Sequence, residues 1–99
     1  MSTLPSLQTT LVQFRSVVGD VPGNVRRMVE AVGDARARGS ELVVFPEMSD
    51  TGYDTDAIRR GASRWEDTNG SVAVLAEAAR RHRIAVVAGL AEKNGDILY

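Results

Sequence analysis

The stretch Glu41-Leu42-Val43-Val44-Phe45-Pro46-Glu47 decides how this chain reads. Residues 42–45 are apolar at every position, the pattern of a strand buried on both faces. Pro46 ends that run, because proline has no N–H to give to a ladder. Glu47 follows directly. Open α/β sheets take ligands beyond the carboxyl ends of their strands, so an acid at this place stands at a pocket mouth on a rigid support. Burial there would raise its pKa and suit it to proton transfer. On geometry alone, a solvated loop carboxylate is the favoured reading of Glu47, since many strands end next to an acid.

Upstream, residues 7–14 include Thr9, Thr10, Leu11 and Val12, which suit a pleated surface and predict a first strand. Residues 16–23 form a loop rich in turn formers: Gly19, Asp20, Pro22 and Gly23. Asn24 is placed to cap a helix in which Val25, Met28, Val29, Val32 and Ala35 share one face. Gly39 falls where a left-handed residue closes a helix. Downstream, residues 48–65 are long and polar, with a helical turn expected over residues 57–60. Asn69 or Ser71 opens a second long helix, with Val72, Leu75, Ala76 and Ala79 on one face. Its last turn, Arg80-Arg81-His82-Arg83, suits the negative end of a helix dipole. Residues 84–90 read as a third buried strand. Lys93-Asn94-Gly95-Asp96 carries a hairpin signature, and Ile97-Leu98-Tyr99 starts a fourth strand. The order is β-α-β-α-β plus that fourth start. It predicts an α/β fold with parallel pairing through right-handed crossovers. A chain that stops within a strand is expected to be part of a larger domain.

Composition bounds the chemistry. The 99 residues are 43% hydrophobic and 25% charged, with a formal net charge of -1. That suits one small globular unit and argues against a surface built for nucleic acid or an anionic membrane. Without cysteine and with a single histidine, these residues hold no disulfide, no thiol nucleophile and no Cys- or multi-His metal site. No cofactor or metal is expected. Residues 1–6 lack the pattern of a secretory signal. The longest apolar run, residues 84–91, is far below the roughly 20 needed to cross a bilayer. A cytoplasmic location is expected.

Other clusters read as structural. Asp50, Asp54 and Asp56 do not have the spacing of a calcium loop and are expected to form a solvated acidic loop. The pairs Arg26-Arg27, Arg59-Arg60 and Arg80-Arg81 are expected on solvent faces. His82 is expected to serve the helix end rather than a catalytic triad, and Trp65 to cover a helix. There is no GxGxxG and no Walker motif to support nucleotide binding.

The residues around Glu47 carry a more specific signal. The 41–47 stretch, followed by Gly52-Tyr53, closely resembles the first motif of the nitrilase superfamily of carbon–nitrogen hydrolases. Leu11-Val12-Gln13-Phe14 resembles that family's first strand, and Asp20 with Asn24 before a helix also matches. So do Leu75-Ala76 before Ile84-Ala85-Val86-Val87-Ala88-Gly89, and Glu92, Gly95, Leu98 and Tyr99 after them. The resemblance spans nearly the whole chain in order.

It implies an α-β-β-α sandwich, of which residues 1–99 would be the N-terminal part of a single domain. It implies an amidase-type hydrolase acting on a small-molecule amide or nitrile through a Glu-Lys-Cys triad, amide being preferred because amidases and related activities make up most of the family's branches, in a parent that is a homo-oligomer. Only the glutamate, the general base, carries over, onto Glu47. Lys93, the only lysine, lies in the hairpin turn and is the wrong motif. The resemblance puts Tyr53 on a loop bordering the substrate pocket, although packing is the role favoured for it. The chain alone is therefore expected to be inactive and, with one sheet face uncovered, marginally stable or self-associating. Two rival readings are a non-catalytic protein that binds or assembles, and a nucleotide-binding α/β module.

Overall fold

The computed structural model describes residues 5–99; the reading of residues 1–6 as free of a secretory signal lies largely outside them. In chain order the elements are β1 (Thr9–Leu11), α1 (Val21–Ala37), β2 (Leu42–Val44), α2 (Thr55–Gly61), α3 (Ser71–His82), β3 (Ala85–Val87), β4 (Lys93–Asn94) and β5 (Ile97–Leu98). The sheet runs β1-β2-β3, all parallel. Rows across it are Thr9-Leu42-Ala85, Thr10-Val43-Val86 and Leu11-Val44-Val87. The strands are shorter than the apolar runs that mark them. Their hydrogen bonding nonetheless extends past the ends, through Val12 N–H to Val44 O (2.9 Å) and Phe45 N–H to Val87 O (2.8 Å). Pro46, which can donate nothing, closes this extension.

Helix α1 starts three residues before Asn24. Its cap is Asp20, whose carboxylate accepts the Gly23 N–H (3.2 Å). Pro22, with φ preset for a first turn, fits that start. Asn24 is not the cap but lies inside the first turn, fully buried. Gly39, at φ +89°, closes the helix as its position predicts, and Ser40 N–H bonds back to Ala35 O (3.0 Å). The expected turn at 57–60 lies inside α2, which Asp54 caps through the Ala57 N–H (2.9 Å). Gly70 caps α3, without a side-chain bond. The hairpin forms with Gly95-Asp96 at its tip, and β5 pairs with β4 alone rather than joining the main sheet.

Strand order 1-2-3 with two right-handed crossovers requires both long helices to lie on one face of the sheet. There α1 and α3 pack on each other. The core is Met28, Val32 and Ala35 from α1, Leu75 and Ala78 from α3, and Val43, Phe45 and Ile84 from the sheet. Phe14 meets the Phe45 ring edge-on (6.0 Å, 88°). Because α3 faces both the sheet and α1, its buried positions are Ser71, Leu75 and Ala78. Of the face predicted from periodicity only Leu75 is among them. Val72, Ala76 and Ala79 instead line a groove with Trp65 beside Val86, Ala88 and Leu90.

The other sheet face departs from the expectation of strands buried on both sides. Leu42 and Val44 are half-buried, Val87 is 54% exposed and Leu11 75% exposed. Apolar residues at every strand position therefore reflect two apolar faces, of which these residues cover one. No helix among the described residues is long and apolar enough to cross a membrane.

Candidate functional site

Glu47 stands two residues beyond Phe45, past the carboxyl end of β2, the middle strand. The chain leaves the sheet there in a tight turn. Met48 takes a left-handed conformation (φ +52°), a state that costs a non-glycine residue about 1–3 kcal/mol and persists only when its surroundings hold it. The surroundings do so. Gly52 N–H bonds to Met48 O (2.8 Å), and the Ser49 hydroxyl bonds to Pro46 O. The Ser16 hydroxyl donates to Ser49 O (2.7 Å), and Gly19 N–H donates to Thr51 O (2.9 Å). Ser49 N–H reaches Gly89 O (3.0 Å), tying the loop to the segment that leaves β3.

Gly89 is required by this approach. A Cβ there would lie 2.5 Å from the Glu47 Cα, closer than any real contact. Asn24 supplies a further anchor. Its Nδ2 donates to Val17 O and Asp50 O (both 2.8 Å), while its Oδ1 accepts from Val17 N–H (2.8 Å) and the Arg27 guanidinium. Arg27 in turn lies 5.1 Å over the Phe14 ring. It is therefore a packed residue, not the solvent-face arginine that its pairing with exposed Arg26 predicts.

The structure brings Glu47 and Tyr53 together: the Tyr53 hydroxyl donates to Glu47 Oε2. That bond to a carboxylate, with smaller contributions from desolvation and the negative charge, raises the Tyr53 pKa above its ordinary value. Tyr53 is 71% exposed, so a packing role is not what the described residues give it. Glu47 is exposed, in keeping with the solvated loop carboxylate that geometry alone favours.

Asp50 is the reverse case. Sequence reasoning puts it in a solvated loop, but it has no accessible surface. Its Oδ1 accepts the Ala91 N–H (3.1 Å) and its Oδ2 the Ser71 hydroxyl (2.8 Å). Ser71 is the first residue of α3, where the helix dipole favours a negative charge. Only these distant partners reveal the burial, so no local signal could have found it. Asp54 caps α2, and Asp56 is exposed in its first turn. His82 packs towards Gly33 of α1: a Cβ on that glycine would lie 3.4 Å from the imidazole Cε1. Among the described residues, no group of three or more metal-binding side chains converges. A groove of about 820 Å³ runs between α1 and residues 67–74 and is not lined by Glu47 or Tyr53.

A parallel α/β layer with an anchored acid beyond its middle strand is the kind of scaffold that carries ligand sites in open sheets. Residues 8–99 match the carbon-nitrogen hydrolase family, and the chain belongs to it. Three proteins are similar to this chain over most of its length. A glutamine-dependent NAD(+) synthetase of Thermotoga maritima is 30% identical over 90 residues, covering 91% of this chain and 16% of that protein. A nitrilase of Pyrococcus abyssi is 30% identical over 99 residues, covering 94% of this chain and 36% of the relative. The chloroplastic omega-amidase of Arabidopsis thaliana is 30% identical over 108 residues, covering 99% and 29%. The chain thus spans between about one sixth and just over one third of the length of these relatives.

Proposed function

We propose that this chain supplies the general base, Glu47, of a hydrolase that cleaves a carbon–nitrogen bond in a small-molecule amide or nitrile. The lysine and the cysteine of the reaction come from residues outside these 99. The observation that carries this reading is the contrast in the loop after β2: an exposed carboxylate on a turn whose following residues, Ser49 to Gly52, are all buried. A proton acceptor needs access to its partner and a fixed position. With an amide, Glu47 takes the thiol proton as sulfur adds to the carbonyl carbon and gives it to the departing amine; water then cleaves the thioester, its proton passing through Glu47 back to the sulfur. With a nitrile, the thiol proton goes to the nitrogen as sulfur adds, and water adds to the carbon before ammonia leaves. Tyr53, whose hydroxyl lies on Glu47, orients the carboxylate at the edge of the substrate pocket.

The uncovered sheet face, with Leu11 and Val87 in one row, takes a second sheet in the whole protein and completes an α-β-β-α sandwich. Residues 1–99 are then one part of a single domain, in a cytoplasmic homo-oligomer. The chain alone, having no thiol, hydrolyses no amide or nitrile. The test is Glu47→Gln in the whole protein, which keeps the shape and removes the proton acceptor. A fall in kcat/KM of about 10²-fold or more is expected. Near-normal kinetics would reduce Glu47 to a structural acid.

A further inference from the structure

Asp50 takes no part in the reaction proposed above, yet it is a carboxylate with no accessible surface. Burying such a group costs several kcal/mol before its partners are counted. An apolar side chain of similar size would fill the space without that cost, so packing alone does not account for it. The carboxylate can fix distances that an apolar group cannot. Through Ser71 it holds the first residue of α3, and through the Ala91 N–H it holds the chain leaving β3. One residue earlier, Ser49 N–H bonds to Gly89 O. The Glu47 backbone lies directly against Gly89. Residues 47–50 are therefore laid along residues 89–91, and Asp50 is the side chain that fastens the far end. Its own carbonyl, held by Asn24 Nδ2, fastens the same point to α1.

We propose that Asp50 is a positioning residue: its buried carboxylate sets where the Glu47 carboxylate stands by locking the loop after β2 onto the segment after β3. The inference rests on Glu47 being the base. The geometry also separates the roles of two substitutions. Asp50→Asn keeps an oxygen for the Ala91 N–H and puts an amide against the Ser71 hydroxyl, which can accept. Asp50→Leu leaves both donors without a partner.

Two measurements on the whole protein test this. Hydrogen exchange needs no substrate. In Asp50→Leu the Ser49 and Gly52 N–H groups should lose protection while those in the middle of α1 keep theirs; unchanged protection in the loop would overturn the proposal. Ammonia release from propionamide or propionitrile gives the kinetic arm. Asp50→Leu should lower kcat by roughly 10–100-fold with little change in KM, as expected for a misplaced catalytic group, and Asp50→Asn should restore most of the rate. Placed on top of Glu47→Gln, Asp50→Leu should cost nothing further, because its effect runs through Glu47. Equal losses in both backgrounds would overturn the proposal. A harmless Asp50→Leu beside a damaging Glu47→Gln would do the same. A harmless Glu47→Gln would instead remove the base assignment.

Discussion

Glu47 and Asp50 are carboxylates three residues apart in one loop, with opposite surroundings. The outer part of the loop, Pro46 and Glu47, is exposed, as is Tyr53 beyond it; the inner part, Ser49 to Gly52, is buried. The outer part has few partners. The inner part is bonded to α1, α3, the 16–19 loop and the segment after β3. The difference teaches how a reactive group can be both open and fixed. Its own side chain stays accessible while the order comes from neighbours that are satisfied and enclosed. Sites held this way keep their geometry better than sites on loose loops.

Substitutions that disturb the inner part should cost most. Gly89→Ala drives a methyl group into the Glu47 backbone at 2.5 Å. Backbone cannot swing aside as a side chain can, so the two loops must separate. We expect a loss of about 1–3 kcal/mol in stability together with a fall in kcat/KM approaching about 10²-fold. Denaturant unfolding and steady-state kinetics on the whole protein check both. Wild-type kinetics would mean that the contact between the loops is not what places Glu47.

Asn24→Ala should come next. It removes both ends of a side chain that bonds Val17, Asp50 and Arg27. The Asp50 carbonyl is left inside the protein with that donor gone, at about 1–3 kcal/mol. Urea unfolding midpoints measure it. If the midpoint does not move, the inner part is held by its other bonds alone.

The smallest effect belongs to the outer part and is a titration. The Glu47 carboxylate accepts the Tyr53 hydroxyl and repels a phenolate, so both act to raise the Tyr53 pKa. In Glu47→Gln the negative charge is gone, and the Tyr53 pKa should fall back towards the ordinary 10.0. Phenolate absorbance against pH, compared between the two proteins, reads this directly. Superimposable curves would show that Tyr53 does not sit on Glu47 in solution.

Much of the framework was legible because it follows from local rules. The apolar runs at 42–45 and 84–90 mark β2 and β3, and Gly39 closes α1 in the left-handed conformation that its position suggests. Helix starts were less secure. Asp20 and Asn24 are both good capping types, and the choice between them turns on Pro22, which prefers a first turn to the loop before it. The placement of Glu47 after the middle strand was legible too, since Pro46 must end the ladder. Its exposure agrees with the solvated carboxylate that geometry alone favours, whereas the burial of Asp50 was not legible. The partners of Asp50 lie 21 and 41 residues further along the chain.

The sequence by itself determined the order of elements and the parallel crossovers, because hydrophobic period, turn residues and chain handedness act over a few residues at a time. Whether a given face or side chain is covered is a different kind of question. Val43 and Val44 are the same residue type in the same strand; Val43 is fully buried in the core that α1 and α3 help to form, and Val44 is only half-buried. Asp50 and Glu47 are both acids in the same turn; one meets the start of α3 and the other meets solvent. Only the tertiary structure decided these outcomes, since burial depends on what distant segments bring to a position, and neighbouring residues in the chain do not encode that.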